Sequence, residues 1–444
     1  MRILVQGGGG REYALASHFA GHGHKVVGSP GNPAFRLRGI GDTRPYTTPQ
    51  DFADYFAQGG FDLAVAGAEG PLRAGLGDIM HDRALPFFGP RRAHARAEWD
   101  KGYLHELLEG TGLMPPGKVC RSRTAAVRFL REEWRNAPYV VKSTDLREGK
   151  GVYVPADLGE ALRDVDKVML PSVQGWEDHV LLQKKLEGAE LSTMTITGRG
   201  KGPYKERTVN LASSRDNKPV GPNRCGLDPR LNTGGMGGDS PHPTVPPVAF
   251  NNLLGTRTIP LIRAVEDDAG AGQMVGLVYN GLMRVPFDGY LILESNLGRF
   301  GDPEAEYVLP RLQSDLAPHL LAAVNGTLGE QPPLVWDPRP SATLFFTTPG
   351  YPTSAYKQHT GKPLRGLDAV QGHPDARVFF AGVGELDGEL VNTGGRVFAV
   401  SLLAGTREKA WDDLSGLVDG GRGIGIGDGP EDAHFRADLE HSKV

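Results

Sequence analysis

Residues 138–155 read PYVVKSTDLREGKGVYVP. An apolar, β-branched run ends on Lys142, a polar turn carries Gly149, Lys150 and Gly151, and a second β-branched run follows. Two strands joined by a glycine-bearing loop, with a lysine on either side, can close over phosphate oxygens. The lysines supply point charges and the loop supplies backbone N–H groups. This is not the GxxxxGK[ST] phosphate loop, because Gly151 and Val152, not a hydroxyl residue, follow Lys150. An exposed hairpin with solubilising lysines has the same pattern, so the surroundings must decide.

The stretch sits in a chain of 444 residues with net charge −4, 39% hydrophobic and 23% charged residues. That length predicts about three domains. The mild negative charge gives no electrostatic case for a nucleic acid or an anionic membrane as partner. Two distant cysteines, Cys120 and Cys225, do not make a disulfide framework or a metal-ligand set, which fits a reducing compartment. The start, MRILVQGGGG, lacks the length and flanks of a signal peptide or membrane span. A cytoplasmic protein is expected.

Upstream, RILVQ, HKVVGS, FDLAVAG and LPFFGP read as strands alternating with helices at REYALASHFAGHG and PLRAGLGDIMHDR. That alternation predicts an N-terminal doubly wound parallel sheet over 1–100. RRAHARAEWDKGYLHELLEGTG reads as a further helix. From residue 139 onward come strand, loop, strand, a helix at DLGEALRDVDKVML capped by Asp157, then strands VLLQKKL and LSTMTITG. TVNLASS, MVGLVYNGLMRV and GYLILESN are strands of a second sheet-rich region. Proline-rich GEQPPLVWDPRPS reads as a linker, and SATLFFTT, ARVFFAGV and GGRVFAVSLL as strands beyond it. DGGRGIGIGDGPEDAH reads as a surface turn.

Four stretches carry chemistry. VQGGGGREYAL sets Gly7 to Gly10 between a strand and a helix, where backbone amides and a helix N-terminus favour an anion. Its spacing departs from the dinucleotide fingerprint, and no acid stands at the end of the second strand, so a nicotinamide enzyme fits poorly. LLQKKLEGAEL offers an extended backbone for an adenine edge, and Glu190 for ribose hydroxyls. In residues 213–243, dense glycine beside Asp216, Lys218 and Asn232 predicts a polar cavity, and 232–238 reads as neither helix nor central strand. LILESNLGRFGDPEAE ends an apolar strand on Glu294 and Asn296, which face the same way. Two hard oxygen donors without His or Cys point to Mg²⁺ completed by nucleotide phosphates, with Arg299 suited to phosphate or developing oxyanion charge.

These pieces occur in one order, together with GGRE at Gly9 to Glu12, PGN at Pro30 to Asn32, GAEGPL from Gly67, NTGGMG, RFGDPEAE, GYP from Gly350 and GGRV from Gly394. Along nearly the whole chain the order resembles the glycinamide ribonucleotide synthetases (phosphoribosylamine–glycine ligases), an ATP-grasp family. The resemblance implies an α/β fold: the N-terminal doubly wound domain, an ATP-grasp module over 101–325 with a lid at about 118–190, and a small C-terminal α+β domain over 326–444. It implies ATP-dependent joining of glycine to phosphoribosylamine through glycyl phosphate, in purine synthesis, by a monomer or homodimer. ATP and Mg²⁺, with Mn²⁺ as a substitute, are the implied cofactors.

By the same resemblance Lys101, Lys142, Gly149, Lys150, Gly151, Gln183, Lys184, Leu186 and Glu190 hold ATP, and Glu294 and Asn296 the metal. Gly9, Gly10, Arg11, Glu12, Gly31 and Asn32 cradle the acceptor's phosphate. Asp216, Lys218, Asn232, Thr233, Gly234, Gly235, Met236, Arg299 and Asp302 line the substrate pocket, with Arg299, Lys142 and Asp216 catalytic. The chain departs from the family at Tyr13 (usually histidine), at Ser143, Thr144 and Asp145 (usually Ala-Asp-Gly), and at Gln183 and Lys184 (usually two glutamates). Leu297-Gly298 holds one residue more than expected, and Phe380 to Val383 replace HAGT. Such changes leave open a paralogue with another amino acid or amine; a nucleotide-binding module without catalysis and a bicarbonate-activating carboxylase are rivals that NTGGMG and GGRE disfavour.

Overall fold

The computed structural model describes residues 1–145, 151–169, 179–223, 225–286, 289–419 and 423–441. Gly149 and Lys150 lie outside the described residues. Strands β1 (Arg2–Gly7), β2 (Lys25–Pro30), β3 (Asp42–Thr43), β4 (Leu63–Val65) and β5 (Phe87–Phe88) form a parallel sheet in the order β3-β2-β1-β4-β5. The chain winds outward from β1 in both directions. The crevice at the carboxyl ends of β1 and β4 is therefore the switch point where open α/β sheets bind ligands. The glycines after β1 and the GAEG turn after β4 both open there.

Next come β6 (Gly117–Cys120), β7 (Tyr139–Ser143), β8 (Val152–Tyr153) and β9 (Val180–Lys184), an antiparallel sheet in the order β6-β9-β7-β8. Helices Arg123–Glu133 and Leu158–Met169 pack on it around Leu130, Val141, Val165 and Leu182. The backbone N–H of Glu160 donates to Asp157 at 2.7 Å, the expected cap.

Strands β10 (Ala189–Thr197), β11 (Thr208–Asn210), β12 (Arg215–Asp216), β13 (Gly237–Ser240), β14 (Gly276–Val285), β15 (Gly289–Leu297) and β16 (Ser341–Thr347) follow. The sheet β11-β10-β14-β15 is antiparallel and faces the β6–β9 sheet across the central cavity. The C-terminal strands are β17 (Leu364–Arg365), β18 (Ala376–Phe380), β19 (Val383–Leu386), β20 (Glu389–Asn392), β21 (Arg396–Leu403) and β22 (Gly425–Ile426). They complete the sheet β12-β13-β16-β21-β18 and the pairs β17-β22 and β19-β20. One apolar core joins Ile3, Tyr13 and Phe35 to Phe300, Tyr307, Phe346 and Phe380, so the first and last sheets pack as one body.

Four expectations need correction. PLRAGLGDIMHDR is two helices, Glu69–Arg73 and Leu76–Asp82, because Gly75 takes a left-handed φ of 91° between them. RRAHARAEWDKGYLHELLEGTG breaks into Arg96–Trp99 and Lys101–Leu107 at Asp100, whose carboxylate caps the second helix by accepting from the Tyr103 N–H at 2.8 Å. The glycine-rich 232–238 does enter a central strand: β13 is paired on both sides, by β12 and β16. Glycine is required there because a Cβ at Gly238 would lie 2.8 Å from the Tyr307 ring and overlap the Arg215 carbonyl. Finally, the glycine-rich tail is more than a turn, since β22 pairs with β17 and Ile424 and Ile426 are buried.

Candidate active site

A cavity of about 970 Å³ opens between the β6–β9 sheet, the β10–β15 sheet and the switch point of the first sheet. Its two ends differ in chemistry. At one end Val140, Val154, Leu186, Met283 and Leu293 make an apolar slot. The other end carries Lys101, Lys142, Lys218, Asp216, Glu294 and Arg299.

The chain leaves β9 at the slot. The N–H groups of Lys184 and Lys185 donate to Pro116 and Pro138 at 2.8 and 2.9 Å, whereas the Leu186 amide makes no hydrogen bond among the described residues. Gln183, Lys184, Leu186 and Glu190 all line the cavity here.

At the charged end, local sequence aims each group. The break at Asp100 puts Lys101 at the start of its helix. Lys142, near the end of β7, donates from Nζ to Gln183 Oε1 at 2.6 Å and to the Leu293 carbonyl at 3.0 Å. That carbonyl is available because the β14–β15 register shifts opposite Gly281, leaving Leu293 as an extra residue. Beyond the bulge Glu294 and Asn296 face the cavity, while Ser295 is turned into the sheet and donates to Asn280 at 2.5 Å.

Burial pulls the Lys142 ammonium down to about 8 with help from Lys101 and Lys218, against the pull of Glu294. Lys218 bonds Glu294 directly. Lys218, with Lys101 and Lys142 behind it, outweighs burial and holds Glu294 at about 2. An ionised carboxylate and an amide oxygen on one face fit a hard cation whose other ligands come from a triphosphate. Among the described residues no group of three His, Cys, Asp or Glu side chains could hold a metal by itself.

Toward the switch point the charges are paired. Arg299 Nη2 is 2.6 Å from Glu98 Oε1 and its Nε 3.2 Å from Glu69 Oε2. Glu69 also faces Arg11 at 3.7 Å, and Arg299 and Arg11 overcome burial to hold Glu69 at about 2. Arg396, from β21, sits 2.7 Å from Asp302 and donates to the Gly234 carbonyl at 2.7 Å. Burial raises both Asp216 and Glu304, Asp216 well above its ordinary value with Glu304 adding to the shift.

Arg11, Lys101, Lys142, Gly151, Gln183, Lys184, Leu186, Glu190, Asp216, Lys218, Asn232, Thr233, Gly234, Glu294, Asn296, Arg299 and Asp302 thus meet on one cavity. Gly9, Gly10, Glu12, Gly31, Asn32, Gly235 and Met236 are absent from its lining. Asn32 caps the helix Pro33–Leu37 and donates to the carbonyls of Gly8 and Phe380 at 2.9 and 3.1 Å. Met236 is fully buried. Tyr13 and Phe380, two departures from the family pattern, touch edge to face with centroids 5.1 Å apart.

Sequence reasoning assigned no role to Glu69, Glu98, Ser192, Tyr279, Glu304 or Arg396, all of which line the cavity. Glu69, Glu304 and Arg396 lay inside motifs already singled out, GAEGPL, RFGDPE and GGRV. Ser192 and Tyr279 sit in apolar strands and left no signal.

The N domain of phosphoribosylglycinamide synthetase matches residues 1–98, its ATP-grasp (A) domain residues 100–305, and its C domain residues 341–440. The chain is 33% identical over 430 residues to the phosphoribosylamine–glycine ligase of Leifsonia xyli subsp. xyli, covering 95% of this chain and 97% of the relative. It is 34% identical over 420 residues to that of Rhizobium meliloti, covering 93% of each. The crystal structure of phosphoribosylamine–glycine ligase from Thermotoga maritima superposes with a TM-score of 0.76 at 25% identity, covering 99% of this chain and 100% of that one. A biotin carboxylase domain from Hydrogenobacter thermophilus shares the fold at 14% identity, TM-score 0.69, over 100% of this chain and 94% of that one. On three matched domains and on relatives aligned nearly end to end, the chain belongs to the phosphoribosylglycinamide synthetase family.

Proposed function

We propose that this cavity joins glycine to 5-phosphoribosylamine with ATP, giving glycinamide ribonucleotide, ADP and phosphate, in the cytoplasm, as a monomer or homodimer. The observation that carries the reading is the joining in one cavity of an apolar slot, three converging lysines and the Glu294–Asn296 pair. A bare carboxylate is a poor acyl donor, and phosphorylation by ATP gives it a leaving group. The adenine occupies the slot, and Glu190 takes the ribose. Lys101 and Lys142 hold the phosphates, so that negative charge gathering on the transferred group meets fixed positive charge. Glu294 and Asn296 hold Mg²⁺, which when bound neutralises phosphate charge. Lys218 and Asp216 bracket the amino acid.

The acceptor amine then attacks glycyl phosphate, the C–N bond forms, phosphate leaves, and the amine's proton passes to solvent or to a carboxylate of the Asp216–Glu304 pair. Arg299 is occupied by Glu69 and Glu98, so a role on phosphate requires it to exchange partners on substrate binding. The test is Mg²⁺-dependent ADP release by the purified chain with glycine, with and without phosphoribosylamine. Release requiring both, with glycinamide ribonucleotide by mass spectrometry, is expected. ADP release dependent on bicarbonate, or on another amino acid and not on glycine, would refute it.

A further inference from the structure

A second cavity, of about 210 Å³, shares no lining residue with the first. The N-terminal domain gives it His81, Arg91 and His94, and the ATP-grasp module gives it Arg199, just past β10, and the loop 271–273 before β14. Among the described residues no carboxylate lines it.

Both arginines keep N–H groups to spare. Arg91 gives Nη1 to Asp82 at 2.7 Å, with Asp78 at 3.6 Å, while its Nε and Nη2 have no partner among the described residues. Arg199 pairs with no carboxylate among the described residues. It donates from Nη2 to His81 Nδ1 at 3.0 Å and from Nη1 to the Val324 carbonyl at 3.4 Å. His81 keeps its other nitrogen, Nε2, 2.7 Å from the Gly89 carbonyl, so it is the neutral tautomer that accepts from Arg199 and steadies that guanidinium. Burial, with Arg199 and Arg91 adding to it, holds His81 at about 4. The N–H groups of Ala271, Gly272 and Gln273 are also unpaired among the described residues. Guanidinium and backbone donors in a lining without carboxylates suit an oxyanion.

His94 narrows the choice of oxyanion. It is 1% exposed, and its Nε2 faces the Gly272 carbonyl at 3.0 Å, so Nε2 carries the hydrogen. Nδ1 remains as a buried lone pair with no donor against it. Burial lowers His94, against the pull of the Gly272 contact and Glu266, so Nδ1 is bare at pH 8. Buried polar atoms are rarely left unpaired, and a ligand bringing both negative charge and one O–H satisfies this one. Hydrogenphosphate does so. Sulfate and a fully ionised phosphate ester bring charge alone. The volume suits one tetrahedral anion with a few waters of about 30 Å³ each.

We propose that this cavity binds hydrogenphosphate between the N-terminal domain and the ATP-grasp module, with Arg91 and Arg199 on its charge and His94 Nδ1 accepting its O–H. The site is separate from the central cavity and does not depend on the reaction proposed there.

The experiment is calorimetric titration of the full chain at pH 8 and constant ionic strength with inorganic phosphate, sulfate and methyl phosphate, which has lost its O–H at that pH. Phosphate should bind roughly tenfold more tightly than the other two, because they leave a buried acceptor unpaired. R199Q should weaken phosphate by roughly tenfold or more. H94Q keeps a donor for the Gly272 carbonyl but loses the bare nitrogen, so phosphate should fall to the level of sulfate. Phosphate bound in the central cavity is untouched by either change, and the R199Q titration serves as its baseline. Thermal unfolding without ligand checks that each variant folds, and the comparison of three anions on the unaltered chain stands without them. Equal binding of the three anions, absence of phosphate binding, or phosphate binding undiminished in either variant would overturn the proposal.

Discussion

At Lys142 the burial that seats the ammonium on Gln183 and Leu293 also brings its titration down to about 8. A depressed lysine is charged below that value and neutral above it. If the charged form holds phosphate oxygens, kcat/KM for ATP falls as pH rises through about 8. K142M should lack this limb and be slow at every pH, which a pH–rate profile of both proteins checks. Glu294 carries the opposite sign, bonds Lys218, and is one of the two oxygen donors of the proposed Mg²⁺ site. E294Q keeps the shape but removes the charge, so kcat should fall by about 10²-fold or more. The Mg²⁺ concentration for half-maximal rate should rise with it. An unchanged Mg²⁺ dependence would remove Glu294 from the metal site.

Among elements, what could be read from the sequence depended on how local the cause was. Strands β1, β2, β4 and β5 of the first sheet, the helix capped by Asp157 and the E-x-N strand end are set by nearest neighbours, and the structure places them as read, whereas the two-residue edge strand β3 went unread. The bulge at Leu293 was not legible, because it is defined by the partner strand, and neither was β13. Glycine lowers strand propensity, so 232–238 read as loop. In the fold, close approach by the Arg215 carbonyl and the Tyr307 ring outweighs propensity. The same distinction separates site residues. Lys142, Lys218, Glu294 and Asn296 stood in recognisable runs, whereas Ser192 and Tyr279 reach the cavity only through strand pairing. G238A should therefore destabilise the protein by roughly 1–3 kcal/mol through overpacking, measured by denaturant unfolding. The same change at Gly416, which a Cβ would leave in open space, should cost no stability.

For the whole molecule, the question is what keeps the switch point of the first sheet in register with the strand that ends on Glu294 and Asn296. Arg299 follows that strand and grips Glu98 on helix Arg96–Trp99 and Glu69 on helix Glu69–Arg73. Gly298, with φ at 131°, makes the turn that delivers it, and a Cβ there would lie 2.6 Å from Pro90. Glu98 is pushed up by burial and pulled down by Arg299, so removing Arg299 strands Glu98 in a dry site, whereas removing Glu98 leaves Arg299 on Glu69. Breaking a buried pair from one side costs about 3–5 kcal/mol, largely the penalty on the remaining charge. R299A should lower stability by an amount of that order, and E98A by less, since Glu69 still pairs Arg299. Because each penalty is counted once per stranded group, the double variant should lose clearly less than the sum. Denaturant unfolding of the four proteins gives the coupling directly. Coupling near zero would mean that Arg299 and Glu98 do not act as a pair in solution, and that the two sheets are held in register by the shared apolar core alone.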